Sequence, residues 1–535
     1  MTPAAVTPAA GDTTADVVVI GAGAVGSACA YFAARHGLRV HVVERGQIVS
    51  GTSSACEGNM LNSDKDAGPE LELAKYSHAL YGTDLAEHNA LWEYERKGGI
   101  AVAATEAGAA GLAELTTRQR ASGVEAIDLP ADRLRDFEPH ISPDLCSGAY
   151  YPEDAQVQPM LLAAHLLRLA RGLGAVVQTG AEVIGFLRDG DRVTGVRTRI
   201  GEVSADAVIN AAGTWSGNIA KLAGVKLPIL PRRGFVLVTE PLPLTIRHKV
   251  YDADYVANVL SSDGGLQTST VVEGTDSGTV LIGSSRERVG FDRTVSLPVM
   301  AEIAAKAVAL FPMLASVKVM RSYLGFRPYS ADHQPVIGPD PRAPGLWHAS
   351  GHEGAGIGLS AGTGKLLAQS ILGQPTDLDL TPFRPERFSV GLSRSALRGH
   401  ELREVSLVRH DSVRRSIGSA RFTRGTRRPE SLLHSREAPP MTESDGRAPE
   451  QTFTFDGGAI PVQPGQSVGA ALVGAGIRSW RTTRKNGRPR GLFCGIGICY
   501  DCLITIDGVP NQRACLTPAK PGMQVASDEA GEEAR

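Results

Sequence analysis

The chain has 535 residues and a formal net charge of −2 at pH 7, with 42% hydrophobic and 21% charged residues. This length exceeds what one hydrophobic core supports, so we expect two or more domains. The charge balance and a pI of about 6.7 exclude a global electrostatic attraction to nucleic acid or to a membrane.

The N-terminal segment carries no targeting signal that we recognise. Residues 1–15, MTPAAVTPAAGDTTA, lack the charged and apolar regions of a signal peptide and are interpreted as a disordered leader. No apolar run reaches the roughly twenty residues that span a bilayer. We therefore expect a cytoplasmic protein without integral membrane contact, in which thiols stay reduced.

Residues 16–44 form a predicted β-α-β unit. An apolar strand runs into a glycine-rich turn, an Ala-rich helix follows, and a second apolar strand ends on Glu44. Such a turn and the helix N-terminus bind a pyrophosphate, while the acid accepts hydrogen bonds from a ribose. The motif predicts a bound dinucleotide but does not separate NAD from FAD. The predicted contact residues of the turn are Gly21, Gly23, Ala24, Val25 and Gly26.

Two further segments contain small and polar residues suited to a ligand. Residues 50–59, SGTSSACEGN, offer hydroxyls to a phosphate or ribitol, although an ordinary polar loop is the alternative. An apolar strand at 207–209 runs into the small-residue turn 210–213, NAAG, which allows close approach of a ligand. Two such turns so far apart in sequence predict a discontinuous nucleotide domain.

The remaining segments up to residue 388 predict an inserted domain. Residues 66–150 are interpreted as helices with loops, and residues 158–174 as an amphipathic helix. Alternating Val- and Tyr-rich segments between 228 and 285 predict antiparallel sheet, the expected substrate domain. Residues 346–372 predict a short strand, a Gly-rich turn and a helix whose N-terminal dipole faces an electron-rich group.

Five motifs in order resemble the D-amino-acid oxidase family of FAD enzymes: GAGAVG with Glu44, GTSSACEGN, VINAAGTWS, GFRPYSADHQPVIGP and GHEGAGIGLSAGTG. The resemblance covers about residues 15–388. It implies an α/β Rossmann-like domain that binds FAD rather than NAD, with an inserted antiparallel β substrate domain. It also implies cofactor contacts at Glu44 and Arg45 (adenosine ribose), Thr52, Ser53, Gly58 and Asn59 (flavin side), Val183 (adenine), Gly213, and His352, Glu353, Gly354, Gly356 and Ile357 (isoalloxazine).

The resemblance also suggests a substrate-binding residue. In glycine-oxidase-like members, the Arg of a GLRP segment binds the substrate carboxylate, and the GFRP segment here places Arg327 at that position. A planar guanidinium suits a carboxylate because it forms two parallel hydrogen bonds. The alternative is a structural arginine paired with Asp332 or Glu353.

Three other residues each have a functional and a structural interpretation. His352 either orients the flavin and substrate or satisfies a backbone carbonyl. Tyr255, like Tyr251, either offers a hydroxyl to the carboxylate or belongs to the core. Glycine oxidases carry an arginine in the turn where this chain has Gly354, which argues against transferring their substrate.

Residues 389–450 have a different composition from the rest of the chain. Between Gly391 and Pro440 there are eleven Arg, no Lys and five acids. We interpret this segment as a disordered linker, with docking to an acidic partner or RNA as the alternative. Met441 shortly precedes the next predicted domain. A further hypothesis is therefore that two formerly separate chains, or two reading frames, have been fused.

Residues 451–530 contain four clustered cysteines, Cys494-x4-Cys499-x2-Cys502-x12-Cys515. The spacing opens as a plant-type [2Fe-2S] loop does. A predicted hairpin around Asp507 and Gly508 returns Cys515 to the side of Cys502. A four-cysteine zinc site is the alternative, although zinc usually takes two CxxC-like pairs.

The segment resembles the small β-grasp iron-sulfur subunits that accompany hydrogen cyanide synthase, opine oxidase and D-hydroxyproline dehydrogenase, which implies a β-grasp ferredoxin-like domain. Joining FAD to a [2Fe-2S] cluster implies a dehydrogenase whose electrons leave singly. We expect it to oxidise a D-configured or secondary amino acid, such as D-proline, cis-4-hydroxy-D-proline or sarcosine, to an imine. Oxidation of an opine or of glycine to cyanide, and an electron-relay or assembly role, are the alternatives.

The related complexes contain a second flavoprotein subunit, so the resemblance implies such an electron-transfer partner in a hetero-oligomer. The basic stretch from Arg478 to Arg490 is a candidate docking surface, with a solvated loop as the alternative.

Overall fold

The computed structural model describes residues 14–253, 263–388, 451–482, 488–495, 497 and 499–527. The predicted linker lies outside the described residues, as does the predicted leader apart from Thr14 and Ala15, which begin the first strand. Within the described ranges, no helix is both long enough and apolar enough to cross a membrane.

The strands follow one another along the chain as β1 (Thr14–Ile20), β2 (Val40–Glu44), β3 (Asn59–Met60), β4 (Gly99–Ala103), β5 (Ile127–Pro130), β6 (Ser147–Tyr151), β7 (Ala155–Gln156), β8 (Val176–Thr179), β9 (Val183–Asp189), β10 (Arg192–Thr198), β11 (Gly201–Asn210), β12 (Ile229–Thr239), β13 (Lys249–Asp252), β14 (Gln267–Gly274), β15 (Val280–Arg286), β16 (Val319–Ser330), β17 (Val336–Pro339), β18 (Leu346–Ser350), β19 (Thr452–Phe455), β20 (Gly458–Pro461), β21 (Arg481–Thr482), β22 (Pro489–Arg490), β23 (Leu503–Ile506), β24 (Val509–Arg513) and β25 (Gln524–Ala526). The α-helices are α1 (Ala24–Arg35), α2 (Pro69–Leu80), α3 (Glu106–Ala121), α4 (Leu134–Phe137), α5 (Pro159–Gly172), α6 (Ser216–Leu222), α7 (Leu297–Leu310), α8 (Gly356–Ile371) and α9 (Val468–Gly474). Short 3-10 helices lie at Thr52–Ser54, Ala86–Trp92, Ala131–Arg133, Gly213–Trp215, Pro312–Ser316, Thr381–Phe383 and Pro385–Phe388.

The first sheet has the strand order β17-β18-β11-β1-β2-β8, with the β9–β10 hairpin attached to β11. Strands β18, β11, β1, β2 and β8 are parallel to their neighbours, and β17 is antiparallel at the edge. The strands come from well-separated parts of the chain, as the two small-residue turns predicted. Helices α1, α5 and α8 cover one face and share one hydrophobic core with it.

The second sheet has the order β16-β12-β15-β14-β13-β4-β6-β5, and α7 packs on it. The interpretation of residues 66–150 as helices with loops was wrong for β4, β5 and β6, which complete this sheet. These strands are only four or five residues long. Such short runs, rich in small residues, carry too little periodicity to be distinguished from loops.

The third sheet, β20-β19-β25-β23-β24, forms with α9 the C-terminal domain. Both predicted hairpins are present, around Asp456–Gly457 and around Asp507–Gly508. The predicted short helix is α9, and its cap residue Ser467 accepts a hydrogen bond at Oγ from Ala470 N, 3.2 Å away. The predicted fold class, a Rossmann-like α/β domain with an inserted β domain and a β-grasp domain, is confirmed.

Helices α1 and α8 cross at small residues, which yields the first prediction. A Cβ on Gly364 would lie 2.6 Å from the backbone carbon of Ala28. Replacing Gly364 by Ala is therefore expected to destabilise the protein by about 1–3 kcal/mol, despite a gain in helix propensity of about 1 kcal/mol. The midpoint of thermal unfolding is the measurement.

The matched control is Gly111→Ala in the exposed interior of α3, where no atom beyond the neighbouring residues and the helix's own backbone lies within 4 Å of the added carbon. It gains the same propensity without the collision, so its unfolding midpoint should stay the same or rise. Equal shifts in the two variants would contradict the close crossing of α1 and α8.

Candidate active site

A cavity of about 800 Å³ opens between the first and second sheets. This volume suits a cofactor together with a small substrate. Apart from Gly26, every predicted cofactor residue lines it, and so does Arg327. The lining residues predicted from the sequence are Gly21, Gly23, Ala24, Val25, Glu44, Arg45, Thr52, Ser53, Gly58, Asn59, Val183, Gly213, Arg327, His352, Glu353, Gly354, Gly356 and Ile357.

The glycine-rich turn after β1 fits a dinucleotide. Gly21 has a φ of +106°, and a Cβ there would lie 2.6 Å from the carbonyl oxygen of Ala211. A Cβ on Gly26 would lie 2.1 Å from the carbonyl oxygen of Gly21. Gly26 does not line the cavity, but its lack of a side chain lets α1 pack closely against the turn. The N-terminus of α1 consequently faces the cavity, where its N–H groups suit a pyrophosphate.

Glu44 lies at the end of β2, where a ribose is expected. Its Oε2 accepts from Ala22 N at 2.9 Å and its Oε1 accepts from Gly46 N at 2.8 Å. A carboxylate has about four acceptor sites, so the side chain is held in place and retains acceptor capacity for ribose hydroxyls.

One wall of the cavity near Arg45 is aromatic, a feature that the sequence analysis missed. The Arg45 guanidinium carbon lies 3.9 Å from the centre of the Trp215 ring. Trp215 in turn stacks on Phe291, with ring centres 5.3 Å apart and an interplanar angle of 9°. Trp215 lies two residues after the NAAG turn, but the stack joins residues that are remote in sequence.

His352 is buried beside the Gly-rich turn before α8. Its Nε2 lies 3.0 Å from Thr363 Oγ1, and that hydroxyl donates to Leu359 O at 2.8 Å. The hydroxyl therefore accepts from Nε2–H, which assigns the proton to Nε2. Burial lowers the pKa of His352 to about 3, so the ring is neutral at physiological pH and its position is fixed.

Arg327 lies on β16 and faces the cavity. Its Nη1 donates to the carbonyl oxygen of Ser285 at 2.8 Å. A Cβ on Gly234 of the neighbouring strand β12 would lie 2.2 Å from Nη1. The glycine at 234, another residue that the sequence analysis missed, therefore makes room for the guanidinium.

The two acids considered as alternative partners of Arg327 have other cationic neighbours. Asp332 pairs with Arg387, with Oδ2 2.6 Å from Nε. Glu353 pairs with Arg232 at 3.3 Å and lies 3.0 Å from His333 Nδ1.

The tyrosine hypotheses have different outcomes. Tyr255 lies outside the described residues. Tyr251 is fully buried in β13 within a core cluster that includes Leu71 and Tyr151. It does not line the cavity, which agrees with the core alternative.

The four clustered cysteines belong to the loop before β23 and to the segment that follows β24. Cys494, Cys502 and Cys515 are at most 1% exposed. Backbone N–H groups point at two sulfurs: Cys499 N lies 3.4 Å from Cys494 Sγ, and Asp501 N lies 3.4 Å from Cys499 Sγ.

The sulfurs are arranged as two pairs. A hydrogen bond from the Cys515 thiol lowers the pKa of Cys502, and a hydrogen bond to Cys494 raises the pKa of Cys499. In the described part of the chain, no three His, Cys, Asp or Glu side chains converge as ligands of a single ion. Two cysteine pairs fit a [2Fe-2S] cluster, which is held by four cysteines around two irons.

Part of the predicted basic docking stretch supports this loop. Arg481 donates to the carbonyl oxygens of Asp501 and Tyr500 at 3.0 and 3.1 Å. Arg490 lies 3.2 Å from the Asp501 carboxylate. Residues 483–487 of the stretch lie outside the described residues.

Comparison with known proteins gives two family matches. Residues 16–370 match the family described as FAD dependent oxidoreductase (DAO), and residues 449–530 match a 2Fe-2S iron-sulfur cluster binding domain. These family matches confirm both predicted cofactors, FAD and a [2Fe-2S] cluster.

Individual relatives match the first of these segments. Hydrogen cyanide synthase subunit HcnC of Pseudomonas aeruginosa is 30% identical over 70% of this chain and 96% of its own length. Glycine oxidase of the same organism is 30% identical over 69% of this chain and 98% of its own length. The crystal structure of glycine oxidase from Geobacillus kaustophilus superposes with a TM-score of 0.64 at 28% identity, over 70% of this chain and 99% of that one.

Removal of one thiolate tests the cysteine assignment. Cys515→Ser is expected to abolish the iron-sulfur absorption and to lower iron from about two atoms per chain towards zero, because one iron loses a ligand. FAD content should not change. Iron, zinc and flavin analysis together with the visible spectrum are the measurements.

Cys146→Ser is the control, because Cys146 is half-buried and remote in sequence from the cluster. It should retain both cofactors at wild-type levels. Zinc in place of iron in the unmodified protein would contradict the assignment.

Proposed function

This chain belongs to the DAO family of FAD-dependent oxidoreductases, and from that premise we propose that it dehydrogenates a D-configured or secondary amino acid to an imine. D-Proline, cis-4-hydroxy-D-proline and sarcosine are the candidate substrates. The observation that supports this best is that Arg327 lines the same cavity as the glycine-rich turn.

In the proposed reaction the protein mainly orients the substrate. Arg327 binds the carboxylate through two parallel hydrogen bonds, and the neutral His352 keeps its place against Thr363. Bound FAD supplies the hydride acceptor, and correct orientation of the substrate Cα–H provides most of the acceleration. The mechanism needs no strong general base on the carbon.

We propose that electrons leave through the iron-sulfur domain, which contacts the second sheet directly. Thr279 Oγ1 donates to the carbonyl oxygen of Gly495, next to Cys494, at 3.0 Å. From Thr279 the chain enters β15, which reaches Ser285, the acceptor of Arg327. Six residues of extended chain span roughly 20 Å, so one strand connects the cluster loop to the cavity.

We also propose the domain limits and a partner protein, because substrate oxidation and electron transfer are assigned to different parts of the chain. Residues 16–388 oxidise the substrate and residues 451–530 pass on the electrons. HcnC is named a subunit, which supports a multi-subunit assembly; that its second component is a flavoprotein is our proposal. That partner would bind beside Phe493 and Tyr500, which are 57% and 48% exposed and flank the cluster cysteines. A cytoplasmic location stays a prediction.

A second candidate function is the oxidation of glycine. A relative with 30% identity that is named glycine oxidase favours it.

Anaerobic mixing of the oxidised protein with D-proline, cis-4-hydroxy-D-proline, sarcosine, glycine and an opine separates these functions. Bleaching of the flavin by one compound identifies the substrate class. Bleaching by none of them, together with full reduction by a partner protein, would contradict an amino acid dehydrogenase and favour an electron relay.

Arg327→Ala is expected to raise KM for the substrate roughly tenfold to a hundredfold, because a hydrogen bond to a charged group contributes about 1.5–3 kcal/mol. Arg327→Lys should recover only part of the loss, since lysine cannot form the two-point contact. The rate of flavin reduction as a function of substrate concentration is the measurement.

The control is Arg197→Ala, which removes an exposed ion pair with Glu202 in the β10–β11 hairpin and should leave KM unchanged. An unchanged KM in Arg327→Ala, with FAD fully bound, would exclude carboxylate binding by this residue.

A further inference from the structure

Glu57 lies in a wall shared by two cavities. It lines the active-site cavity and also a smaller one of about 40 Å³. The smaller cavity is further lined by Glu93, Glu95 and Asp276, and by Leu516, which follows Cys515. Glu57 therefore separates the redox site from a space that borders the iron-sulfur domain.

The Glu57 carboxylate is buried with one oxygen unpaired. The residue is 8% exposed, and Oε2 accepts from Asn59 Nδ2 at 3.1 Å. Oε1 has no hydrogen-bond partner in the described part of the chain, and a Cβ on Gly283 would lie 2.3 Å from it. A buried, unpaired carboxylate oxygen is costly, so its retention points to a ligand, a water or a proton.

The smaller cavity has room for water and reaches the protein surface. A water needs about 10–15 Å³ of such volume, so a cavity of about 40 Å³ holds roughly three. On its outer side, the Glu95 side chain is 50% exposed and Asp276 is exposed. Water in this cavity would connect Glu57 to carboxylates that reach bulk solvent.

The other ionisable groups of the nearby wall are less suited to transferring protons at neutral pH. Burial lowers the pKa of His352 to about 3 and raises that of Cys56 to about 12. The Arg327 guanidinium stays protonated. Glu353 is held by Arg232 and His333. Glu57 is the carboxylate that faces both spaces.

Other ionisable groups lie on the elements around Glu57. Glu273 of β14 is fully buried, and its pKa rises to about 7 through burial, with the charge of Glu57 contributing to the rise. Lys97 and Lys249 lie 4.0 and 3.9 Å from the Glu273 carboxylate and offset it. Cys56 on the same loop, and Tyr323 and Arg321 on β16, complete the ionisable surroundings.

We propose that Glu57 and the smaller cavity form a proton exit from the active site, separate from the electron exit. The proposal rests on the proposed function. Oxidation of an amine CH–NH unit to C=N releases two electrons and two protons. The electrons pass singly through the cluster to an external one-electron acceptor, so the protons must leave the active site separately from the electrons. Dioxygen as acceptor would instead take up the electrons together with the protons.

The test uses the full-length holoenzyme with Glu57→Gln, which keeps the shape but cannot ionise. The flavin is photoreduced anaerobically without substrate and mixed with excess ferricyanide as the one-electron acceptor. Flavin absorbance, the electron paramagnetic resonance signal of the cluster, and proton release to an indicator dye are followed together. Glu202→Gln, at an exposed ion pair, is the control.

The expected result is that Glu57→Gln slows flavin reoxidation and proton release together by at least about tenfold, while Glu202→Gln does not. Formate should restore both rates in Glu57→Ala, because a small acid replaces the missing carboxyl. In the unmodified protein, reoxidation should be slower in D₂O.

Several results would overturn the proposal. A raised KM in Glu57→Gln with wild-type reoxidation would make Glu57 a binding group for the substrate amine. Unchanged rates, or a loss that formate does not rescue, would leave only a structural role. If the variants fail to bind FAD, the unmodified protein still provides a test. Flavin reoxidation that is equally fast in H₂O and D₂O would then contradict the proposal. Since photoreduction needs no substrate, failure of every candidate substrate leaves this test intact.

Discussion

The parallel pairing of β1 with β11 is the interaction on which the active site depends. Val17 to Ile20 pair in register with Ala207 to Asn210, although these segments are 190 residues apart. The pairing places the turn after β1 against the turn after β11, so closely that a side chain at Gly21 would meet the carbonyl of Ala211. Since β18 pairs with β11 in the same direction, a third small-residue turn joins the same edge of the sheet. Ligands bind at this carboxyl edge in open α/β sheets.

The cofactor cradle could be predicted from the sequence because its determinants are local. Strand, glycines, helix and acid lie within one segment of about thirty residues, and each imposes its geometry on its neighbours. Gly234, Trp215 and Glu57 could not be found in this way. Their roles depend on contacts with Arg327, Arg45 and Gly283, which are distant from them in sequence. Arg327 and Gly283 belong to the second sheet, whereas Arg45 and Trp215 meet beside the first sheet, after β2 and β11. The short strands of residues 99–151 were missed because their small residues lack a period.

The same distinction holds in the C-terminal domain. The return of Cys515 towards Cys502 followed from a hairpin whose turn residues and strand lengths are visible in the sequence. The division of the sulfurs into two pairs was not visible there, nor was the use of Arg481 and Arg490 to hold Asp501. A charge run gives no indication of whether its members face solvent or a neighbouring backbone carbonyl. Part of the predicted docking surface therefore serves the cluster loop itself.

The contact between the two redox domains includes a few polar interactions. Thr279 donates to Gly495, Ser467 Oγ donates to the carbonyl oxygen of Ser277 at 3.3 Å, and Arg513 lies 3.3 Å from Glu93. For separate chains, such contacts would have to offset the entropy of association. Within one polypeptide the second domain is already present at a high effective concentration, so a modest interface suffices. The strand β15 then borders both proposed exits, because the residue before it anchors the cluster loop and Gly283 within it accommodates the Glu57 carboxylate.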